Sequence, residues 1–190
     1  MKNNFKNNNL PENAKLVFQG KMFDVYQWDQ KMFNGSVEIF ERLKRPDTVC
    51  VIATVGDKII IQEQTQPDRD PFISLPSGRN DQGEEDMAAA KRELLEETGY
   101  SSDDFIFWKE FSPVTKIIWK VKYFIARDCQ KIQEPKLDSG ERIKNKFISF
   151  EDFLMLSENK DFRDREFIST LLYMRLHPKE QEKFWKILFT

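Results

Sequence analysis

The sequence GRNDQGEEDMAAAKRELLEETGY occupies residues 78–100 and is the most informative part of this chain. Its second half predicts a helix in which Glu93, Glu96 and Glu97 stand at positions i, i+3 and i+4 and share one face. Like charges at this spacing repel one another, unless a divalent cation such as Mg²⁺, which prefers oxygen ligands, lies among them. The alternative is an acidic helix face in contact with water, the usual setting of a charge run.

The residues around these carboxylates predict a helix over residues 84–98. Acidic residues fill its first turn, where the helix dipole favours negative charge, and strong helix formers follow. Gly99 stands where a C-terminal cap belongs. Upstream, the apolar and β-branched residues 48–55 predict a strand, and residues 58–64 predict its hairpin partner after a two-residue turn.

The rest of the chain alternates short strands with a few helices. Turn signals at Gly20 and Asn34-Gly35 divide residues 16–44 into strands. This mixture indicates an α+β fold. The remaining predicted elements are a strand over 72–75, a long strand over 116–127, a loop over 130–145, a helix capped by Ser149 with Asp152, a helix over 165–176 and a last helix from Pro178.

The spacing of residues 78–100 is similar to that of the Nudix box, G-x5-E-x7-R-E-U-x-E-E-x-G-U, in which U is apolar. All seven fixed positions match, and Tyr100 at the final apolar position is a small departure. The resemblance implies the Nudix fold, a mixed β-sheet sandwiched between helices, here with an N-terminal β extension. It also implies an enzyme, a pyrophosphohydrolase that cleaves a nucleoside diphosphate linked to another group.

The same resemblance implies roles for the residues of the box. It places a divalent metal, Mg²⁺ or alternatively Mn²⁺, on Glu93, Glu96 and Glu97 and on the backbone carbonyl of Ser77. Arg92 can reach Glu96 one turn further on, so it is expected to orient these catalytic carboxylates. The residues expected to support the motif structurally are Gly78, Glu84 and Gly99.

Hydrolysis also needs a general base that takes a proton from the attacking water. Members of the family differ in which carboxylate serves. The sequence LDSGE at residues 137–141 resembles the acidic loop of ADP-ribose pyrophosphatases, which indicates Glu141 as the base, with Asp138 behind it. The alternative is that Glu141 is an ordinary charged loop residue.

Two segments resemble the branch of the family that hydrolyses ADP-ribose and nucleotide sugars. The sequence LPSG at residues 75–78 is similar to the LPAG of that branch, and residues 63–64 resemble the start of its EQYR segment. Several positions depart from the branch: Gln66 stands where Arg is frequent, Ser74 replaces a Glu, Pro113 lies slightly closer to the box than the proline typical of the branch, and Val114 replaces the Gly that often follows it. ADP-ribose or a related nucleotide sugar is therefore the expected substrate.

Candidate substrate contacts follow from the side chains available. Arg79, Gln66 and Trp119 are expected to bind the nucleotide, with arginine suited to phosphate and tryptophan to a base. The alternative for Trp119 is a place in the core or in a dimer interface. Further candidates for phosphate or base contacts are Lys116, Lys120, Lys122, Phe40 and Trp28.

The composition of the whole chain excludes several classes. Thirty Lys and Arg against 32 Asp and Glu give a net charge of −2, which disfavours a nucleic-acid partner. The longest apolar run, residues 49–53, is too short for a membrane span, and the Asn-rich N-terminus has no signal-peptide pattern. Cys50, which is expected in the core, and Cys129 are too few for a disulfide scaffold, so we expect a cytoplasmic protein in a reducing compartment.

Three regions are expected along the chain: a disordered tail over residues 1–14, an N-terminal β region over 15–46, and the Nudix hydrolase domain over 47–190. In the ADP-ribose branch such a β region exchanges between subunits, which implies a homodimer. Three functions stay open. They are Mg²⁺-dependent hydrolysis of ADP-ribose or a nucleotide sugar to AMP and a sugar phosphate, hydrolysis of another substrate such as a nucleoside triphosphate, a dinucleoside polyphosphate or NADH, and non-catalytic nucleotide binding.

Overall fold

The structure, a computed structural model, describes residues 10–67 and 69–190, so residues 1–9 of the predicted tail lie outside it. Its strands are β1 (Lys15–Gln19), β2 (Asp24–Lys31), β3 (Val37–Lys44), β4 (Thr48–Val55), β5 (Lys58–Thr65), β6 (Phe72–Ser74), β7 (Ser77–Arg79), β8 (Tyr100–Ser101), β9 (Asp104–Phe111), β10 (Ile117–Ile118), β11 (Val121–Arg127), β12 (Gln130–Lys131) and β13 (Arg142–Ile148). Its helices are α1 (Asp86–Thr98), α2 (Phe150–Met155), α3 (Arg165–Leu176) and α4 (Pro178–Phe189), and a single 3₁₀ turn covers Leu156–Glu158.

The first sheet is the N-terminal β extension, with strand order β1-β2-β3-β10. β2 and β3 form a long antiparallel hairpin whose register runs from Asp24 opposite Lys44 to Lys31 opposite Val37. The turn between them contains Gly35, whose φ of 89° is readily adopted only by glycine. β10 adds to the other edge of β3 in parallel.

The second sheet has seven strands and forms the centre of the molecule. Its main order is β13-β5-β4-β11-β9, with β6 beside β5 and β7 beside β4. β4 and β11 run parallel and the other pairs run antiparallel, so the sheet is mixed. Residues 49–54 of β4 are all buried, which explains the uninterrupted apolar run in this strand.

Helices cover both faces of this central sheet. α1 packs Ala89, Ala90 and Leu94 into an apolar cluster with Val49 and Val51. A larger cluster on the opposite face joins the sheet to the three C-terminal helices, through Phe153, Phe167, Leu171, Phe184 and Leu188. The predicted α+β fold, a mixed sheet between helices, is confirmed. Cys50 is buried in the larger cluster, as predicted.

The prediction of one long strand over residues 116–127 is wrong, because the chain divides at Trp119 and Lys120. Lys120 N donates to Asp47 Oδ1 at 2.9 Å, and β10 and β11 enter different sheets on either side of this point. Lys122, a candidate for phosphate contacts, is largely enclosed and paired with carboxylates. Its Nζ lies 2.7 Å from Asp86 Oδ2 and 3.0 Å from Asp47 Oδ2.

Two other boundaries also differ from the prediction. The helix predicted from residue 84 begins at Asp86, because the Glu84 carboxylate turns back to accept a hydrogen bond from Asp81 N at 3.2 Å. The loop predicted over residues 130–145 contains β12, and its last residues already belong to β13. The two C-terminal helices and the Ser149 cap agree with the sequence. None of the helices in residues 10–67 and 69–190 is long and apolar enough to cross a membrane.

Candidate active site

The loop before α1 is held against the helix by the central sheet. Ser77 in β7 pairs with Cys50 in β4, and the carbonyl of Pro76 accepts a hydrogen bond from Val51 N at 2.9 Å. This pairing aims Ser77 N at the helix, where it donates to Glu97 Oε2 at 2.9 Å. Strand and helix therefore bring together two of the four predicted metal-binding residues, Ser77 and Glu97.

Arg92 connects the remaining charged residues of the motif. Its Nε and Nη2 bind both carboxylate oxygens of Glu84 at 2.9 Å, and its Nη1 contacts Glu93 at 2.8 Å and Glu96 at 3.1 Å. Nη2 also donates to the carbonyl of Arg79 at 3.1 Å. The hydrogen bond from Arg92 lowers the pKa of Glu84. A single guanidinium thus fixes both the loop and the carboxylate face of α1.

Burial raises the pKa of Glu97 well above its ordinary value, and the neighbouring charges of Glu93 and Glu141 raise it further. Burial likewise raises the pKa of Glu93, although Arg92 opposes the shift. Within the described residues, Glu97 and Glu141 have no cationic partner, and no three His, Cys, Asp or Glu side chains converge on one metal-sized point. Carboxylate oxygens are the donors that a hard divalent cation takes, so the chemistry of Glu93, Glu96 and Glu97 fits such an ion, although their side chains do not converge on one point in this structure.

Glu141 lies across from the helix at the rim of this acidic site. Its N–H donates to the carbonyl of Asp138 at 3.0 Å, which closes the loop that carries both acidic residues. Burial raises the pKa of Glu141, and the charge of Asp138 adds to the shift. The structure brings Glu141 to the same cavity as Glu93, Glu96 and Glu97.

Two cavities meet at this point. The acidic cavity, about 400 Å³, is lined by Glu93, Glu96 and Glu97 of α1 and by Arg92, Lys136, Asp138 and Glu141. The second cavity, about 350 Å³, extends between the two sheets. Both cavities share the same five residues at their junction, which are Ser77, Gly78, Arg79, Glu97 and Glu141.

The three predicted substrate contacts, Arg79, Gln66 and Trp119, all line the second cavity. Trp119 is half-buried, and its Nε1 donates to Thr48 Oγ1 at 3.0 Å, so its orientation is fixed. Gln66 Nε2 donates to Gln64 Oε1 at 3.3 Å. The alternative candidates Lys116, Lys120, Lys122, Phe40 and Trp28 line neither cavity.

Several residues of the second cavity were not predicted from the sequence. Arg45 follows β3, Arg69 lies in the loop before β6, and Arg163 and Asp164 precede α3. Asp164 is buried and accepts a hydrogen bond from Leu75 N at 2.9 Å, and burial raises its pKa to about 7. These residues are far apart in the chain and belong to no motif, so only the fold reveals that they converge.

A chain of hydrogen-bonded amide side chains borders the second cavity. Gln64 Nε2 donates to Gln62 Oε1 at 2.7 Å and to Ser74 Oγ at 2.9 Å, and Gln62 Nε2 reaches Asn145 Oδ1 at 3.4 Å. The side chain of Gln62 lies near Glu97 and lowers the pKa of that carboxyl, against the larger effect of burial. Ser74, which replaces the expected Glu, is therefore part of this hydrogen-bonded chain and lines the second cavity.

Comparison with known proteins agrees with this geometry. A family model described as NUDIX domain matches residues 44–171. ADP-ribose pyrophosphatase of Bacillus subtilis (strain 168) is 28% identical over 170 residues, which cover 84% of this chain and 89% of that protein. ADP compounds hydrolase NudE of Escherichia coli (strain K12) is 25% identical over 167 residues, which cover 86% and 89%.

A third relative and a solved structure extend the comparison. Methanol dehydrogenase activator of Bacillus methanolicus is 24% identical over 174 residues, which cover 90% of this chain and 94% of that protein. The crystal structure of an ADP compounds hydrolase superposes with a TM-score of 0.72 at 26% identity, and the match covers 90% of this chain and 94% of the other. Since the family model spans most of the sequence and the box residues line one cavity, the chain belongs to the NUDIX domain family and is a Nudix hydrolase.

Proposed function

We propose that this protein hydrolyses ADP-ribose or a related nucleotide sugar to AMP and a sugar phosphate. The observation that carries the proposal is the junction of the two cavities, where Arg79, Glu97 and Glu141 face a common space. The acidic cavity suits the reacting diphosphate with its metal. The second cavity, which is lined by arginines and aromatic rings, suits a nucleotide. The names of the two relatives that act on ADP compounds support the same substrate class.

We propose Mg²⁺, or alternatively Mn²⁺, as the cofactor. The residues that would hold it are Glu93, Glu96, Glu97 and the carbonyl of Ser77. A bound divalent cation neutralises phosphate oxygens and lowers the pKa of water. Arg92 positions the carboxylates for this role, because its guanidinium contacts both Glu93 and Glu96.

In the proposed reaction Glu141 acts as the general base. A water oxygen attacks one phosphorus atom, the bond from that phosphorus to the bridging oxygen breaks, and one water proton moves to the Glu141 carboxylate. The raised pKa of Glu141 favours proton uptake, because burial makes its charged form less stable. Arg79, at the junction of the cavities, contacts the diphosphate.

We also propose that the protein is a homodimer joined through residues 15–46. The N-terminal sheet exposes large apolar side chains that would be covered in a dimer: Val17 at 52%, Phe18 at 59%, Val37 at 60% and Ile39 at 71% exposure. A cytoplasmic location is part of the proposal, and it is supported by Cys50 and Cys129, two buried thiols that are both free.

The experiment is a hydrolysis assay with Mg²⁺ and a panel of ADP-ribose, ADP-glucose, NADH, diadenosine polyphosphates and nucleoside triphosphates. Release of AMP from ADP-ribose is the expected result. Glu97→Gln, which keeps the shape of the side chain and removes its charge, lowers turnover on the order of 10²-fold or more. Glu182→Gln, on the exposed face of α4, is the matched control and keeps wild-type activity.

The outcomes separate the alternatives. If the protein hydrolysed only another compound of the panel, that compound would replace ADP-ribose as the substrate, and the protein would still be a Nudix hydrolase. Binding of nucleotides without hydrolysis of any of them would favour the non-catalytic module. An active Glu97→Gln variant would overturn the assignment of the metal-binding residues.

A further inference from the structure

Four arginines line the second cavity, and none of them has an acidic partner among the described residues. They are Arg45, Arg69, Arg79 and Arg163. The ion pairs within residues 10–67 and 69–190, with nitrogen to oxygen distances of up to 4.0 Å, include none of the four guanidinium groups. The hydrogen bonds of Arg45 go to neutral acceptors, the carbonyl of Pro46 at 3.3 Å and Thr48 Oγ1 at 3.4 Å. Arginine is the side chain best suited to bind phosphate in two-point contacts.

Aromatic rings, not carboxylates, hold two of these arginines in place. The guanidinium of Arg45 lies 4.6 Å from the ring centre of Trp119 and 5.9 Å from that of Phe23. The guanidinium of Arg163 lies 4.6 Å from the ring centre of Phe72. Stacking fixes the plane of a guanidinium and leaves N–H groups at its edges able to donate to an anion. The cavity therefore presents oriented guanidinium donors that form no ion pair with a carboxylate of the described residues.

The arginines also disfavour one another's charge. Burial lowers the pKa of Arg45 and the charge of Arg79 lowers it further, although Asp47 opposes the shift. Burial and then the charge of Arg69 lower the pKa of Arg163, although Asp164 opposes the shift.

Four acidic groups also line this cavity: Glu97 and Glu141 lie at its junction with the acidic cavity, and Asp164 and Glu166 are engaged in hydrogen bonds. Asp164 accepts from Leu75 N at 2.9 Å, and Glu166 accepts from the hydroxyl of Tyr123 at 2.8 Å.

The diphosphate of the proposed substrate does not account for this charge. The reacting phosphates belong at the acidic cavity, and among the four arginines only Arg79 lines both cavities. Arg45, Arg69 and Arg163 line the second cavity alone. Trp119 and Phe72 lie in the same cavity and offer flat surfaces beside which a nucleoside fits, so the nucleoside end of the substrate belongs there.

We propose that the arginine cavity, defined by Arg45, Arg69 and Arg163, binds a second phosphate, which is separate from the diphosphate contacted by Arg79 and is carried on the ribose of the nucleoside. The preferred substrate class is then a nucleoside diphosphate derivative with an additional ribose phosphomonoester. The inference deepens the proposed function and rests on it for the position of the diphosphate.

The test is calorimetric binding of matched pairs to the full chain without divalent cations, so that no turnover occurs. One pair is ADP-ribose and ADP-ribose 2′-phosphate, and the other is dephospho-coenzyme A and coenzyme A, which differ by a 3′-phosphate. We expect the phosphorylated member of one pair to bind about tenfold more tightly or better, a typical gain for charge-assisted hydrogen bonds. The pair that shows the preference identifies the ribose hydroxyl.

Variants test whether the arginine cavity causes the preference for the phosphorylated ligand. Arg45→Gln and Arg163→Gln each remove most of the preference for the phosphorylated ligand. Arg127→Gln is the matched control, because Arg127 pairs with Asp104 at 2.7 Å outside both cavities, and it keeps the preference. Circular dichroism checks that each variant is folded.

Equal affinities within both pairs would overturn the inference, as would a preference that survives in both cavity variants. Because binding is measured without catalysis, this result does not depend on the hydrolysis assay. Hydrolysis of ADP-ribose combined with equal affinities would remove the second phosphate site and leave the proposed function intact. Tighter binding of a phosphorylated ligand, combined with no hydrolysis of ADP-ribose, would support the second phosphate site and overturn the proposed function.

Discussion

The carboxylate of Glu93 fills the space that a side chain at Gly78 would need. A Cβ atom placed on Gly78 would lie 2.0 Å from Cδ of Glu93 and 2.1 Å from its Oε1. Gly78 is therefore required because strand and helix approach closely, and not because its backbone is strained, since its φ is not positive. The contact fixes where one of the proposed metal-binding carboxylates can lie.

Gly78→Ala tests this contact. We expect the fold to survive, because the obstructing atoms are the end of a flexible side chain that can rotate away. The displaced Glu93 carboxylate would leave its place beside Arg92, and kcat/KM should fall by about tenfold or more. Kinetics and thermal unfolding measured together check the prediction. Wild-type kcat/KM in a folded Gly78→Ala protein would show that the position of Glu93 is unimportant.

Gln62 provides a second test, directed at the amide side chains that border the second cavity. Gln62→Leu keeps a similar volume but removes a hydrogen-bond partner from Asn145 and from Gln64, and takes a polar neighbour from Glu97. We expect kcat/KM to fall by about tenfold, because Glu97 loses part of what orients it. The binding of Mn²⁺, followed by electron paramagnetic resonance, should weaken in parallel.

The control for this variant is Gln130→Leu, which changes an exposed glutamine in β12. It should leave both the kinetics and Mn²⁺ binding unchanged. If Gln62→Leu weakened only thermal stability, with Mn²⁺ binding and kcat/KM at wild-type values, Gln62 would be a structural residue without a role in positioning Glu97.

The parts of the fold that follow from the sequence are those with strong local signals. α1 was predictable because its acidic first turn, its run of alanines and leucines, and the cap at Gly99 all agree, and Gly99 has the left-handed φ of 75° that such a cap needs. β4 was predictable because a strand buried on both faces needs an uninterrupted apolar run.

β9 was not predicted, and its pairing shows why. It is an edge strand whose register with β11 shifts between Tyr123 and Phe124, so the two-residue period of its apolar side chains is broken. Phe107 is consequently 54% exposed, while Trp108 packs against the core on the other face. A strand with an interrupted period gives no clear alternation to read.

The candidate site likewise has one part that follows from the sequence and one part that does not. The carboxylates lie on one helix at fixed spacing, so their shared face follows from the sequence. The arginine cavity takes Arg45, Arg69 and Arg163 from separate segments between the strands and helices. Only the topology of two sheets and a C-terminal helix brings these residues to one place, and no sequence spacing encodes it.

Asp164 gives a prediction for the pH dependence of stability. Its pKa is raised from 3.8 to about 7 in the folded protein, so between these values the folded state holds a proton that the unfolded state has lost. The free energy of unfolding therefore falls as pH rises through this window, by up to about 1.4 kcal/mol per pH unit from this one group. At pH values well below and well above this window the contribution is constant.

Asp164→Asn removes this dependence and keeps an oxygen that accepts from Leu75 N. We expect the variant to gain about 2 kcal/mol or more relative to the wild type between pH 5 and pH 8, because it never carries the buried charge. Urea unfolding of both proteins at the two pH values measures the difference. Parallel pH profiles would show that Asp164 titrates in the folded state near its ordinary value.

Ile39→Glu tests the proposed dimer through the N-terminal sheet. Ile39 lies in the middle of β3 with 71% of its surface exposed, and its strand partner is Asp29. In a dimer that covers this sheet, the introduced carboxylate would be a buried charge without a partner, so association should weaken by about tenfold or more. Sedimentation at micromolar concentration is the measurement, with Ile132→Glu, also exposed but after β12, as the control.

We expect the wild type and Ile132→Glu to sediment as dimers and Ile39→Glu as a monomer. A glutamate at an exposed strand position costs little in the isolated chain, so a lower sedimentation coefficient reports loss of association and not unfolding. A wild-type monomer would overturn the dimer. A dimer unaffected by Ile39→Glu would place the interface on a different surface from the one that exposes Ile39.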